Sequence, residues 1–143
     1  MTWKEGIWYF AHPYTCKDEQ GNYIFGGEEA NYRLCNIRAA KLIEAGYLIY
    51  SPISHTHPIH TAYPNFVGKQ VHNMWYEFDN EFIRQVPFKG IILAPYWEES
   101  KGCSAELIMF MELKRQVMTY REALQKRITS PCDCEKKENQ NES

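Results

Sequence analysis

The chain has no long apolar run. None of its segments approaches the ~20 apolar residues that a membrane-spanning helix needs, and residues 1–6 lack the charged-then-apolar build of a signal peptide. We therefore expect a cytoplasmic protein with no membrane partner.

Clustered positive charge is also missing. The net charge is -2 at pH 7, and the lysines and arginines are scattered along the chain. Proteins that bind nucleic-acid polymers usually carry a basic patch that attracts phosphates. This composition therefore argues against a nucleic-acid polymer as a partner.

Cysteine is present without the spacing of a disulfide framework. The five cysteines are Cys16, Cys35, Cys103, Cys132 and Cys134. An odd number without regular spacing predicts free thiols in a reducing compartment. Cys132 and Cys134 could form half of a metal site, but the second pair that zinc requires is missing, so we expect no metal there.

The chain does contain enough apolar surface for one core. Hydrophobic residues make up 44% and aromatic residues 15% of the 143 positions, which suits a single globular domain. We place this domain at residues 1–128. Residues 129–143 are rich in Lys, Glu, Asn and Ser and contain no aromatic residue, so we expect a disordered tail there.

Apolar runs and helical periodicities alternate along the chain. They predict strands at 7–11, 47–50, 90–95 and 116–119, helices at 28–45, 71–86, 102–116 and 120–128, and long loops at 12–27 and 53–69. This alternation is typical of an α/β fold, a three-layer α-β-α arrangement in which helices cover both faces of a parallel sheet. Ligands of such sheets bind at the carboxyl ends of the strands, where residues 12–27, 51–69 and 96–106 begin.

Glu106 is the first candidate for a chemical role. It lies just inside a helix that follows a buried strand, behind a turn containing Ser100 and Gly102, and it shares the apolar helix face with Phe110. Glutamate is rarely buried without a partner, and the glycine lets a ligand approach the backbone closely. The alternative is an exposed glutamate that offsets the helix dipole. We favour a nucleophile.

Asp79 is the second candidate. It follows Trp75 by one helical turn in a segment with apolar faces, and the alternative is that it faces solvent together with Glu77. Periodicity does not decide between the two positions. A pair of carboxylates around one bond is the arrangement that cleaves glycosidic bonds through a covalent intermediate, and Glu106 and Asp79 suit that chemistry.

Several segments together resemble the nucleoside 2-deoxyribosyltransferase superfamily. They are residues 9–14, residues 51–55, the stretch from Trp75 to Asp79, and the spacing Trp97-x-x-Ser100-x-Gly102-x-x-x-Glu106. The similarity spans roughly residues 7–119. It includes small deoxyribosyltransferase-like proteins, and the Ser-x-Gly-x-x-x-Glu spacing also matches 2′-deoxynucleoside 5′-phosphate N-hydrolases. The resemblance implies a Rossmann- or flavodoxin-like sheet. This chain departs from the superfamily pattern because the polar tail replaces a fifth strand, so we expect four strands in the order 2-1-3-4, with five strands as the alternative.

The resemblance also implies roles for single residues. Glu106 would be the nucleophile that forms a glycosyl-enzyme, Asp79 would assist near the sugar and the leaving base, and Ser100 and Gly102 would line the sugar or 5′-phosphate pocket. Tyr14 is the best match for an aromatic residue that holds the nucleophile or the sugar. The other predicted substrate-binding residues are His12, Pro13, His55 and Trp97.

Other side chains admit more than one interpretation. His55, His57 and His60 allow a metal site, but prolines flank them and no acid is near in the sequence. We therefore expect a loop over the ligand, with His55 near the sugar or base. Trp97 can stack on a base or cover the core. Arg38 is expected at a solvated helix face, with an interface as the alternative.

The sequence therefore predicts an enzyme without metal or organic cofactor that cleaves or transfers at the N-glycosidic bond of a (deoxy)nucleoside or nucleoside 5′-monophosphate. Strict hydrolysis and transfer between bases both fit. The alternative from another class is a non-catalytic sensor that binds a nucleotide in the same pocket. Members of the resembled superfamily assemble as dimers or larger, so we also expect a homo-oligomer.

Overall fold

The structure is an α/β fold around one parallel sheet. A computed structural model describes residues 3, 6–15, 19–22 and 27–126, and four strands in the order β2-β1-β3-β4 form the sheet. The strands are β1 Ile7–Ala11, β2 Leu48–Tyr50, β3 Gly90–Leu93 and β4 Gln116–Thr119. All neighbouring strands are parallel. The predicted fold class and the order 2-1-3-4 are confirmed.

Helices cover both faces of the sheet in the described part of the chain. They are α1 Gly27–Glu44, α2 Pro52–Ala62, α3 Lys69–Gln85, the 3-10 turn Trp97–Glu99, α4 Lys101–Glu112 and α5 Tyr120–Lys126. One buried cluster joins α1 and α5 to the sheet, and a second cluster joins α3 and α4 to it. This is the three-layer arrangement that the sequence predicts.

β1 lies inside the sheet and supplies side chains to both layers. Trp8 and Phe10 belong to the cluster with α1 and α5, whereas Tyr9 and Ala11 belong to the cluster with α3 and α4. All four residues are buried, as expected for a strand covered on both faces. The alternation follows from the two-residue period of a strand, so β1 presents side chains to both sides of the sheet.

The carboxyl ends of the strands meet at one edge, which we call the carboxyl edge. Ala11 pairs with Leu93, and Leu93 pairs with Thr119, so the residues that follow these strands emerge side by side. β1 is followed by α1 on one face of the sheet, and β3 is followed by α4 on the other. Parallel α/β sheets bind ligands at such a switch point, here the gap between β1 and β3.

Helix α2 shows that the prediction of a long loop at 53–69 was wrong. The prolines favour a loop, but Pro52 occupies the start of the helix, where its fixed φ suits the first turn. Pro58 lies inside the helix. Ile53 and His57 are buried, and we infer that this packing outweighs the cost of the internal proline. Residues 63–68 alone separate α2 from α3.

Some predicted boundaries also shift. α4 ends at Glu112 rather than at residue 116, because Lys114 adopts a φ of 56° and turns the chain towards β4. β3 ends at Leu93 rather than at residue 95. The predicted last turn of the final helix and the tail at 129–143 lie outside the described residues.

The expectations about membranes and thiols can be compared with the described residues. Within them, no helix is both long enough and apolar enough to cross a bilayer. Cys35 and Cys103 are buried free thiols. Cys16, Cys132 and Cys134 lie outside the described residues.

Candidate functional site

Glu106 lies in the second turn of α4 and packs towards the sheet. Ser100 caps this helix, because its Oγ accepts a hydrogen bond from the backbone N–H of Cys103 at 3.2 Å. Cys103 and Phe110, on the same helix face as Glu106, are buried, and Glu106 itself is partly buried. This placement differs from the exposed first-turn glutamate of the alternative interpretation.

Tyr9 of β1 holds the carboxyl group of Glu106. Its hydroxyl donates a hydrogen bond to Oε2 of Glu106. The ring is fully buried and packs edge-on against Phe88, with ring centroids 5.3 Å apart. Sequence reasoning missed this residue. The available signal was that a tyrosine in a buried strand needs a partner for its hydroxyl.

Asp79 of α3 supplies the second carboxyl group. It is partly buried, and its Oδ1 is enclosed without a hydrogen-bond partner among the residues that the structure describes. Burial raises the pKa of Asp79 from 3.8 to about 7. A buried oxygen without a donor is available to accept a hydrogen bond from a ligand.

The two carboxyl groups influence each other's charge. Burial raises the pKa of Glu106 from 4.5 to about 8, while the hydrogen bond from Tyr9 lowers it and the negative charge of Asp79 raises it further. Two carboxylates that repel each other resist double ionisation. Near neutral pH the pair therefore holds about one proton, and its titration belongs to the pair.

Tyr50 and His55 form a rim beside these acids. Burial raises the pKa of Tyr50, and the charges of Asp79 and Glu106 raise it further, so its hydroxyl is within electrostatic range of both groups. Oη of Tyr50 is 3.0 Å from Nδ1 of His55. His55 is exposed on α2, and its ring also contacts Phe82. The structure thus places His55 beside Tyr50, on a helix rather than in a loop.

Trp97 lies between β3 and α4, and Gly102 lies in the first turn of α4. Gly102 is exposed, and a Cβ there would meet only Ser100 Oγ at 3.8 Å, so the fold leaves open space beside it. Trp97 is partly buried and packs against the core shared by α3 and α4. This contact agrees with the interpretation that Trp97 covers the core rather than stacking on a base. Tyr96 is exposed and has a left-handed φ of 67°.

Tyr14 has a different partner from the one predicted. Its Oη lies 2.6 Å from Nδ1 of His57, and Nε2 of His57 lies 2.7 Å from Oε2 of Glu29. Tyr14 packs against the cluster of α1 and α5, whereas Glu106 packs on the opposite face. Tyr9 of β1, which belongs to the cluster of α3 and α4, therefore takes the position next to Glu106 that the resemblance offered for Tyr14.

His12 and Pro13 follow β1 at the carboxyl edge. His12 is buried; its Nδ1 lies 2.8 Å from the carbonyl oxygen of Pro13, and its Nε2 lies 2.9 Å from Nη1 of Arg38. Burial lowers the pKa of His12 from 6.5 to about 4. Its ring contacts Phe10, so His12 lies on the face of α1 and α5.

The histidines of α2 have separate partners. Besides His55 and His57, the third histidine, His60, accepts a hydrogen bond at Nδ1 from Nε1 of Trp75 at 2.9 Å. Among the residues described, no group of three or more His, Cys, Asp or Glu side chains is arranged to hold a metal ion.

Open grooves lie on the described surface. One of about 410 Å³ includes Tyr50, Ser51, Ser54 and His55 in its lining. Another, of about 480 Å³, runs beside β4 and α5. Neither lining contains Glu106 or Asp79. The first groove therefore meets the site only at the rim formed by Tyr50 and His55.

The fold and the site define a class, parallel α/β proteins with paired carboxyl groups beside the switch point of the sheet. The chain belongs to the family described as a domain of unknown function (DUF1937), whose model matches residues 6–122. No curated protein matches the chain. Function must therefore be argued from the site itself.

Proposed function

We propose that the protein cleaves, or transfers across, the N-glycosidic bond of a (deoxy)nucleoside or nucleoside 5′-monophosphate through a covalent glycosyl-Glu106 intermediate. The observation that carries this proposal is the placement of Glu106, which is partly buried, held by Tyr9 and close enough to Asp79 to feel its charge. This arrangement supplies a nucleophile and a second group for proton transfer. The proposal needs no metal or organic cofactor.

The proposed reaction has two steps. First, an ionised Glu106 oxygen bonds to the anomeric carbon, the bond from that carbon to the base nitrogen breaks, and the base leaves with the electron pair and takes the proton of Asp79. In the second step, water or another base attacks the same carbon and gives a proton to Asp79, while the ester bond breaks and releases the carboxylate of Glu106. Hydrolysis results when water attacks, and transfer results when a base attacks.

The charge of the carboxyl pair suits the first step. One proton shared by Glu106 and Asp79 lets one group attack while the other supports the leaving base. Burial raises the pKa of both groups, so the pair keeps a proton near neutral pH. Positive charge develops on the sugar beside the nucleophile, and this charge favours the ionised form of Glu106.

The first test is a screen of the common nucleosides and their 5′-monophosphates for released base, followed by chromatography. Glu106→Gln keeps the size of the side chain but cannot form the ester, so we expect base release to fall by at least about 1000-fold. Glu112→Gln is the matched control, because Glu112 is an exposed acid on the same helix. Near-wild-type turnover in Glu106→Gln contradicts the proposal.

Two further measurements address the intermediate and the acceptor. Intact-mass spectrometry of acid-quenched wild-type protein should show the mass of the sugar added to the chain, and Glu106→Gln should not. Adding a second free base separates the two reactions, because a transferase then forms a new nucleoside and a strict hydrolase does not.

A sensor that binds a nucleotide without turnover is the second candidate function. The raised pKa of Glu106, about 8, favours it, because a protonated carboxyl group is a poor nucleophile at neutral pH. A nucleotide that raises the melting temperature but is not consumed over days would support the sensor and exclude the enzyme for that ligand.

A further inference from the structure

Arg38 of α1 carries a charge that no described carboxylate neutralises. Its Nη1 lies 2.9 Å from Nε2 of His12, and its guanidinium carbon lies 6.0 Å from the ring centre of Tyr120. The ion pairs in the described ranges link Glu29 to Arg33 and His57, and Glu81 to Arg84. Arg38 is partly buried. Removing a cation from water costs free energy, and an anionic partner offsets that cost.

His12 cannot supply that negative charge, but it can orient the arginine. The carbonyl oxygen of Pro13 accepts from Nδ1 of His12 at 2.8 Å, so the proton lies on Nδ1 and Nε2 is left as an acceptor. Arg38 donates to this acceptor. Burial, and the charge of Arg38, keep the pKa of His12 at about 4, so the ring stays neutral. Arg38 therefore gains no negative partner from His12, and its remaining N–H groups can donate to an anion.

The position of Arg38 relates it to the carboxyl edge. His12 directly follows β1, and Tyr120 directly follows β4, so the guanidinium is held between residues that leave the sheet at this edge. His12 and Phe10 face α1 and α5, whereas Tyr9 and Glu106 lie on the opposite side. A ligand bound across the end of β1 would meet the acids on one side and the cation on the other.

We propose that Arg38, oriented by His12, forms an anion-binding subsite whose ligand is a phosphate monoester. The planar guanidinium matches two phosphate oxygens and makes charge-assisted hydrogen bonds to them. This inference rests on the proposed function for the rest of the ligand: if Glu106 attacks the sugar, the attached anion is a 5′-phosphate. The substrate class is then the nucleoside 5′-monophosphates rather than the free nucleosides.

Binding measurements in the Glu106→Gln background test the subsite without turnover. The ligands are the four common 2′-deoxynucleoside 5′-monophosphates, the matching nucleosides and inorganic phosphate, measured by calorimetry. We expect Arg38→Gln to weaken monophosphate binding by about 10- to 100-fold, the range for a lost hydrogen bond to a charged group, and to leave nucleoside binding unchanged. Lys41→Gln is the control, because it removes the same charge from an exposed position of α1.

Inorganic phosphate shows whether Arg38 recognises the phosphate group itself or only the whole nucleotide. Competition by phosphate that Arg38→Gln abolishes assigns the subsite to the phosphate group itself. Circular dichroism checks folding, and if Arg38→Gln fails to fold, Arg38→Lys replaces it, since it keeps the charge but loses the two-pronged contact. For this variant we expect a severalfold loss of monophosphate binding.

Three results would overturn the subsite: equal losses in Arg38→Gln and Lys41→Gln, equal binding of monophosphates and nucleosides to wild-type Arg38, or no binding of either. The base-release screen distinguishes failure of the subsite from failure of the proposed function. Base release with an unchanged KM for monophosphates in Arg38→Gln rejects the subsite and keeps the function. Arg38-dependent phosphate binding without base release supports the subsite and rejects the function.

Discussion

At the scale of the residue, the Tyr9 hydroxyl controls how readily Glu106 ionises. Its hydrogen bond stabilises the carboxylate and opposes the effect of burial on the pKa of Glu106. The hydroxyl itself stays protonated, because burial and the nearby charge of Glu106 raise the pKa of Tyr9. Tyr9 is therefore a fixed donor that stabilises negative charge where the proposed nucleophile needs it.

Tyr9→Phe should raise the pKa of Glu106 above about 8, because the stabilising hydrogen bond is lost while the burial remains. The acid limb of the kcat/KM profile reports ionisation of the nucleophile in the free enzyme, so we expect it to move to higher pH by about one unit. Measuring base release from pH 5 to pH 10 checks this. An unmoved limb with a uniformly lower rate would indicate that Tyr9 acts only in packing.

The sequence reveals some of these residues and hides others for a physical reason. Glu106 can be selected because a carboxyl group on an otherwise apolar helix face is unusual, whereas periodicity leaves the position of Asp79 open and the resemblance singles that residue out. Tyr9 looks like core in a strand, and its partner lies 97 positions away. The contact of Arg38 with His12 likewise spans 26 positions. Contacts of this kind depend on tertiary structure, which local periodicity does not contain.

At the scale of the element, the start of α4 contains one residue with a structural role, Ser100, and one that we expect to serve ligand binding, Gly102. Ser100 is used by the fold, because its hydroxyl caps the helix. Packing within the fold does not require a glycine at position 102, since a Cβ there would meet only Ser100 Oγ at 3.8 Å. A glycine that the fold does not need, next to the proposed nucleophile, favours close approach of a ligand.

Gly102→Ala should therefore weaken ligand binding while it raises the stability of the fold. Alanine is the better helix former, so we expect the free energy of unfolding to rise by about 0.5 kcal/mol. The added methyl group would occupy ligand space, so we expect KM to rise severalfold. Chemical denaturation and steady-state kinetics measure the two effects. An unchanged KM would show that the ligand does not approach the backbone at this position.

Helix α2 illustrates the limit of prediction at the same scale. Pro52 and Pro58, with three histidines nearby, give this segment weak helix propensity, and the sequence predicts a loop. The buried side chains of Ile53 and His57 indicate that tertiary packing overrides propensity. In contrast, α1 and α3 are found at nearly their predicted positions, because their helical patterns are long and free of proline.

At the scale of the whole molecule, the buried acids make stability depend on pH. Asp79 has a pKa near 3.8 when unfolded and about 7 when folded, so the folded state holds a proton that the unfolded state releases between these values. Because the native state binds more protons in this window, the free energy of unfolding falls as pH rises from about 4 to about 7. Above about pH 7, the full free-energy cost of ionising the buried Asp79 is present.

Asp79→Asn should remove this penalty. We expect the variant to be more stable than wild type at pH 8 by at least about 1 kcal/mol, since one pKa unit corresponds to about 1.4 kcal/mol, and to lose that advantage towards pH 4. Calorimetric melting at both pH values measures the difference. Glu77→Gln, at an exposed position of α3, serves as the control. A constant difference across pH would contradict a buried titrating group.

The overall architecture is the part that the sequence predicts best. Alternating strands and helices specify a parallel sheet covered on both faces, and the order expected once the tail replaces the superfamily's fifth strand is the order of the four described strands. The function stays a prediction, because one fold supports many reactions. The homo-oligomer also stays a prediction.

The alternation of β1 has an evolutionary consequence. Neighbouring positions of this strand serve opposite layers, with Tyr9 beside Glu106 and the Phe10 face leading to His12. Inserting or deleting one codon within it would exchange the two sets of side chains and separate the acid from its hydroxyl donor and the arginine from its imidazole at the same time. Related proteins can therefore vary the length of their loops, whereas this short strand must keep its number of residues.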